Sequence, residues 1–311
     1  MKLLYLSRDD SNFAAWNSLL AGARPDDVMV RADGETVPDG SFDVAFVHSP
    51  PPGYLKQVPG LKALVALGAG VDDLWRDPEL PDIPIVRMAN GVMISAMLEY
   101  IEYAVLRYHR NFDRIERLQQ NGQWEWQAPT PRRDERRVGV LGLGNLGGAA
   151  ASMLADMGFD VIGWSRTAKS ISGVECHHGE AGLAQMVARA EILISLLPLT
   201  PDTRGLLNAD LFARMPAGAA IINVGRGAQI NDADLIAALD AGQLRGATLD
   251  VFDPEPLTPM HPFWQHPLIR VTPHVASYSR AADCLPVVQD ALERIEQGLP
   301  LLDVVDRAHG Y

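Results

Sequence analysis

Val138-Gly-Val-Leu-Gly-Leu-Gly-Asn-Leu-Gly147, running on as Gly148-Ala-Ala-Ala-Ser-Met-Leu-Ala155, is the stretch on which the fold turns. A short apolar run reads as a buried strand, Gly142-x-Gly144-x-x-Gly147 as the turn leaving it, and the small apolar residues that follow as a helix. Each glycine has a separate reason. Gly142 permits the tight turn, Gly144 lets the backbone approach a pyrophosphate, and Gly147 allows close packing of helix on strand, while the free amides of Asn145, Leu146 and Gly147 at the helix start face the anion. Strand, glycine loop and helix in that order predict a dinucleotide-binding Rossmann unit. A bare GxGxxG also occurs in plain turns, so the flanking elements carry the reading.

Working outward, the next strand ends in Gly163-Trp-Ser-Arg-Thr167, with Lys169 just beyond. A site for NAD normally has an acid about 20 residues after the glycines, on the ribose hydroxyls. Here Ser165, Arg166, Thr167 and Lys169 stand instead, so a 2′-phosphate is expected and NADPH is favoured over NADH; the alternative is an Arg on an ordinary surface loop. Further strands are expected at Ile192–Leu197, Ala220–Val224, Ala247–Val251 and Arg270–Thr272, which together with Val138–Leu143 and Val161–Trp164 complete a nucleotide-binding sheet.

On the amino-terminal side, strands are expected at Lys2–Leu6, Val44–His48, Ala63–Leu67 and Ile85–Met88, forming a smaller doubly wound unit. One long helix is expected from about Ala96 to Gln120, with an apolar face that includes Leu98, Ile101, Val105, Phe112, Ile115 and Leu118, crossing between domains. A linker follows over 121–137, and a last helix over about Ala281–Gln297 returns to the first domain. The expected class is α/β with two doubly wound parallel sheets: a flavodoxin-like substrate domain at 1–97 plus 281–311, and the Rossmann domain at 98–280.

With 311 residues, 47% hydrophobic and 21% charged, the composition is that of a folded globular protein. A net charge of −12 sets a repulsive far field against nucleic acid and anionic membranes, so neither is expected as a partner. The opening apolar run is cut short by Ser7, Arg8, Asp9 and Asp10, too early for a signal-peptide core. The uncharged run 138–155 is too glycine-rich for a membrane span. Cys176 and Cys284 form no metal or disulfide pattern, and the simplest reading is free thiols in the cytoplasm. Neither HExxH nor a His/Cys cluster occurs, so no metal is expected. The adjacent His177 and His178 would point to opposite faces of an extended segment.

Three residues stand at or just beyond strand ends, where open α/β sheets bind ligands: Arg226, Glu255 and His274. Singly they read as a surface Arg, a Glu between two prolines and a His at a strand end. On consecutive strands of one dinucleotide sheet they form a set.

At this point the chain resembles the D-isomer-specific 2-hydroxyacid dehydrogenase family over essentially its whole length, and within it the glyoxylate/hydroxypyruvate reductase branch. The matching runs are Leu67-Gly-Ala-Gly-Val-Asp72, the glycine loop, Trp164-Ser-Arg-Thr167, Leu197-Pro-Leu-Thr-Pro-Asp-Thr-Arg204, Asn223-Val-Gly-Arg-Gly227, Asp250-Val-Phe-Asp-Pro-Glu-Pro-Leu257 and Thr272-Pro-His-Val-Ala276. The resemblance implies that Arg226 binds the substrate's carboxylate and keto oxygen, that His274 is the acid/base and that Glu255 pairs with it. It assigns Asp250 to the nicotinamide carboxamide, and extends the cofactor-binding set to Leu197, Pro198, Thr203, Val224, Gly225, Arg226 and His274. Gly68, Ala69, Gly70 and Val71 would receive the substrate carboxylate on backbone amides, with Arg226 and His274 completing the substrate site. It also implies a homodimer around Trp124 and Trp126, a reading preferred to the alternative that the two rings cover the local core. The missing acid after the glycine loop departs from the family's commoner NAD pattern.

The chemistry agrees with these roles. Reducing a 2-oxo acid puts negative charge on the keto oxygen, which calls for a proton donor and a fixed cation. The leading expectation is an NADPH-dependent reductase of small 2-oxo acids. Its alternatives are an NAD-linked dehydrogenase of phosphoglycerate type and a cofactor-sensing binding protein on the same fold. His48, at the end of an early strand, reads as a cleft residue or an ordinary surface His.

Overall fold

A computed structural model describes residues 1–7, 12–68, 70–88, 91–126, 130–277 and 280–307. The chain divides into two compact units: Met1–Met93 with Ser279–Tyr311, and Ile94–Tyr278.

The first unit opens with β1 (Lys2–Ser7), α1 (Phe13–Ala23), β2 (Val28–Arg31), β3 (Val44–His48), β4 (Ala63–Ala66) and β5 (Ile85–Arg87). Its five strands run parallel in the order β2-β1-β3-β4-β5. Alternation along each strand feeds two cores. Leu3, Tyr5, Val44 and Phe46 face Trp16 and Leu20 of α1, whereas Leu4, Leu6, Ala45 and Val47 face Tyr54, Leu55 and Leu74. Both faces are apolar because both faces are covered, which is why these strands read as unbroken hydrophobic runs.

The second unit takes most of α2 (Gly91–His109), then α3 (Phe112–Gln120), β6 (Arg137–Leu141), α4 (Asn145–Asp156), β7 (Asp160–Ser165), β8 (Val174–His178), α5 (Gly179–Val187), β9 (Ile192–Ser195), α6 (Ala209–Arg214), β10 (Ala219–Asn223), α7 (Asp232–Asp240), β11 (Leu244–Leu249) and β12 (Ile269–Val271). The order β12-β11-β10-β9-β6-β7-β8 is all parallel. The chain builds outward from β6 to β8, returns to the centre at β9 and builds the other way. The switch point therefore lies between β6 and β9. Val138, Val140 and Val161 pack on α2 and α4; Leu141, Ile162 and Leu193 pack on the opposite face with α5 and α6. The closing α8 (Ala281–Gln297) packs Cys284, Val288, Ala291 and Leu292 into the core of the first unit.

The expected α/β class with two parallel sheets is borne out. The single helix expected over 96–120 is corrected to two. Asn111 takes a left-handed φ of 58° between them. Arg245 of β11 holds the break, donating to the Tyr108 carbonyl at 3.1 Å and to Asn111 Oδ1 at 3.0 Å, and pairing with the buried Asp113 at 2.5 Å. Phe112 and Ile115, counted on the apolar face, are exposed. Two strands escaped the sequence reading, β2 and β8, both edge strands with polar or half-exposed positions. Among the described residues no helix is long and apolar enough to cross a membrane, and no His/Cys/Asp/Glu group could hold a metal.

Candidate active site

The glycine loop leaves β6 with Gly142 at φ +95°, a conformation that side chains other than glycine rarely adopt. A Cβ at Gly147 would stand 1.7 Å from the Gly142 carbonyl oxygen, so only glycine lets α4 sit this close to the turn. A Cβ at Gly144 would meet nothing within 4 Å: the space above the loop is open. Helices α6 and α7 are capped by the side chains of Asn208 and Asn231, accepting from Leu211 N at 3.1 Å and Asp234 N at 3.2 Å. In contrast, α4 begins at Gly144 with no side-chain cap and no acid in its first turn. The amides of Asn145, Leu146 and Gly147 are the ones an α-helix leaves without an internal acceptor, and they carry the positive end of its dipole. An uncapped helix start under open space fits the pyrophosphate of a dinucleotide.

At the end of β7, Ser165 is buried and its hydroxyl donates to the Thr167 carbonyl at 2.7 Å. That bond spends the hydroxyl proton on the turn, and Arg166, Thr167 and Lys169 stand exposed on it. Ser165 thus shapes the turn that carries the cations. Thr203 behaves alike: it donates to the Pro198 carbonyl at 2.7 Å and accepts from Thr200 N at 2.8 Å, tightening the loop after β9. Leu197 and Val224 are buried side chains.

Beyond β10 a buried polar network sets the loop that bears Arg226. Asn223, fully buried, accepts from Gly225 N at 3.1 Å and donates to the Arg226 carbonyl at 3.0 Å. Gln229, also fully buried, donates to the carbonyls of Leu197 and Pro198 and accepts from the Ser195 hydroxyl at 2.9 Å. Two loops are thereby tied together. A Cβ at Gly227 would lie 2.0 Å from the Phe252 carbonyl carbon, which fixes the approach of the Arg226 loop to the segment carrying Glu255. Asn223, Gln229 and Ser195 were not singled out from the sequence. Ser195 and Asn223 carried a signal, a polar residue at the end of an otherwise apolar strand; Gln229, in the turn after Arg226, carried none.

Asp250 is 1% exposed. One oxygen accepts from the Thr272 hydroxyl at 2.6 Å and Val275 N at 2.9 Å; the other accepts from Ala276 N at 2.8 Å. Its backbone carbonyl takes the His274 amide at 2.8 Å. Asp250 therefore clamps both sides of His274, which it holds at a left-handed φ of 55°. That conformation costs a residue other than glycine on the order of 1 kcal/mol, and the clamp offsets it.

His274 Nδ1 donates to Glu255 Oε2 at 2.8 Å, and Glu255 Oε1 accepts from Phe252 N at 2.8 Å. The Glu255 bond raises the His274 pKa above its ordinary value, outweighing the opposite pull of burial and of nearby Arg226. Burial pushes the Glu255 carboxyl upward, but its bonds from His274 and Phe252 N leave it below the ordinary range. Arg226 acts electrostatically on both. The structure thus brings Arg226, Glu255 and His274 together. Their arrangement offers a proton on a nitrogen braced from behind and a cation alongside, suited to receiving charge developing on an oxygen.

The profile of the D-isomer specific 2-hydroxyacid dehydrogenase NAD binding domain matches residues 103–276. Glyoxylate/hydroxypyruvate reductase A of Yersinia enterocolitica is 41% identical over 284 residues, 89% of this chain and 90% of that protein. The chain belongs to the D-isomer specific 2-hydroxyacid dehydrogenase family. It is an NAD(P)-dependent oxidoreductase of that family. Solved structures agree along the full length. A family member from Xanthobacter autotrophicus Py2, in complex with NADPH and MES, is 42% identical with a TM-score of 0.93, covering 100% of this chain and 99% of that one. An NADPH-dependent glyoxylate/hydroxypyruvate reductase from Sinorhizobium meliloti, in complex with NADP and sulfate, is 38% identical with a TM-score of 0.90, covering 100% and 99%.

In the first unit, His48 is exposed at the end of β3. Gly68 would tolerate a Cβ with only the Gly70 carbonyl at 3.8 Å, and the Val71 side chain is buried in the local core. Ala69 lies outside the described residues. Trp124 and Trp126 are 84% and 89% exposed and stack edge to face, with ring centroids 6.0 Å apart.

Proposed function

We propose that this dehydrogenase-family member is an NADPH-dependent reductase of small 2-oxo acids such as glyoxylate and hydroxypyruvate. The observation that carries the reading is the His274–Glu255 bond beside Arg226, at the carboxyl edge of a sheet whose glycine loop is open for a dinucleotide. The glycine loop and the start of α4 would hold the pyrophosphate, and Arg166 and Lys169 the 2′-phosphate. When bound, the reduced nicotinamide supplies the hydride that goes to the keto carbon.

The residues of the chain do the rest. Because Nδ1 is engaged by Glu255, Nε2 is the nitrogen that faces the substrate. Arg226 draws in the carboxylate and balances charge gathering on the keto oxygen; His274 passes its Nε2 proton to that oxygen, giving the 2-hydroxy acid and a neutral imidazole. Glu255 keeps the imidazolium populated between turnovers. Asp250 acts by positioning, through its grip on the segment 272–276. We also assign substrate-carboxylate binding to the backbone amides of the 68–71 loop, and self-association to the exposed Trp124 and Trp126 in a cytoplasmic homodimer.

The test is loss of reduced-nicotinamide absorbance with NADPH and NADH in parallel, over glyoxylate, hydroxypyruvate, pyruvate and phenylpyruvate. The expected result is turnover with NADPH, faster for the two small acids than for phenylpyruvate. Turnover with none of them would overturn the reading.

A further inference from the structure

The edge strand β8 ends in two histidines with different fates. His177 is used within the strand: its Nε2 lies 2.8 Å from Glu175 Oε1, and Arg189 grips the same carboxylate with both terminal nitrogens. His178 is exposed, and among the described residues its side chain has no hydrogen-bond or ion-pair partner.

The pairing of β7 with β8 sets Ser165 directly against His178. Residues paired across neighbouring strands project from the same face of the sheet. Which face is fixed by what precedes them. Val174 and Cys176, four and two residues before His178, pack into the cluster that contains α4. Ile171 Cδ1 comes within 3.6 Å of where a Cβ on Gly148 of α4 would be. His178 keeps extended angles, φ −149° and ψ 162°, so the alternation reaches it. It therefore stands on the α4 side of the sheet, level with the strand end from which Arg166 emerges. From the opposite face, Trp164 Nε1 donates to the Gly179 carbonyl at 2.8 Å and pins the chain just after His178. Neighbouring strands are about 4.8 Å apart, within the reach of an imidazole.

We propose that His178 is a specificity-determining residue that donates from its imidazole to the cofactor's 2′-phosphate, across from Arg166. The inference rests on the NADPH reading above. It assigns to one half of the His177-His178 pair a role in cofactor choice and leaves the other half structural.

The experiment is direct binding to the full chain: NADPH and NADH followed by nicotinamide fluorescence, with 2′-AMP and 5′-AMP as phosphate-position probes. The proteins are wild type, His178→Ala, His178→Gln and Arg166→Ala. His178→Ala is expected to weaken NADPH and 2′-AMP about fivefold, the effect of one hydrogen bond, with NADH and 5′-AMP within twofold of wild type. His178→Gln, which keeps a donor, should recover part of the loss. Unchanged 2′-AMP and NADPH affinity in His178→Ala, while Arg166→Ala still loses both, would overturn this inference and leave the NADPH reading standing. So would equal loss of NADPH and NADH, which would mark a structural role. A wild type that binds NADH as tightly as NADPH would overturn the reading and the inference together.

Discussion

On the two sides of its switch point the seven-stranded sheet builds its carboxyl edge by different means. Beyond β10 and β11, Asn223, Gln229 and Asp250 are buried, and their hydrogen bonds fix the backbone that carries Arg226 and His274. Beyond β7, Arg166 and Lys169 stand exposed on a turn across which the Ser165 hydroxyl donates to the Thr167 carbonyl. The contrast fits the tasks proposed for the two sides, proton transfer on the first and cofactor phosphate binding on the second. Proton transfer fails when atoms are misplaced by an ångström, so His274 and Glu255, though solvent-accessible themselves, are carried on backbone held by buried hydrogen-bonded groups. Holding a dianion needs only charge and donors nearby, which a solvent-exposed turn can supply. Chemistry on one side and cofactor choice on the other should therefore be separable by mutation.

The largest expected effect lies on the rigid side. His274→Ala should lower kcat by roughly two to four orders of magnitude while NADPH binding persists, as read by steady-state kinetics beside a fluorescence titration. Loss of NADPH binding with kcat preserved would erase the distinction between the sides.

Next comes Asp250→Ala. It strips a buried acceptor from Thr272 Oγ1, Val275 N and Ala276 N, and should cost about 3 kcal/mol in denaturant unfolding, together with kcat. On the exposed side, Arg166→Ala should leave stability within about 0.5 kcal/mol of wild type yet raise the NADPH KM tenfold or more, leaving NADH nearly untouched. Equal instability in both variants would show that the frames do not differ.

The smallest effect is a shift along the pH axis. In the proposed mechanism reduction needs His274 protonated, so activity is expected to fall as pH rises through the folded-state pKa, which Glu255 raises. Glu255→Gln removes that counter-charge and should move this alkaline limb of kcat to lower pH. An unchanged profile would show that Glu255 serves only the turn around Phe252.

How much of this was legible in the sequence follows the same division. The glycine loop could be read because turn, open approach and helix packing are set by residues next to one another: Gly142, Gly144 and Gly147. The turn after β7 was legible for the same reason, through Arg166 and Lys169. Helix α8 matched its periodicity from Ala281 to Gln297. What escaped depends on distant partners. The helix break at Asn111 is held by Arg245, 134 residues away, and nothing in the local apolar pattern announces it. Ser195 and Gln229 meet only when β9 and β10 lie side by side, whereas Asn223 bonds locally, to Gly225 N and the Arg226 carbonyl. Ser165 was read as a phosphate ligand from residue type and Thr203 as a cofactor residue from the resemblance; what local reading could not give is that their hydroxyl protons go to backbone carbonyls. Strand β8 stayed hidden because an edge strand needs no apolar run.

The separation of the two sides is tested most directly by a double-mutant cycle on Arg166→Ala and His274→Ala, measuring kcat and the NADPH dissociation constant in wild type, both single variants and the double. Arg166→Ala should act on the dissociation constant, His274→Ala on kcat, and their effects should add within about 0.5 kcal/mol. A coupling energy above about 1 kcal/mol, or a kcat that falls with Arg166 as far as with His274, would contradict it.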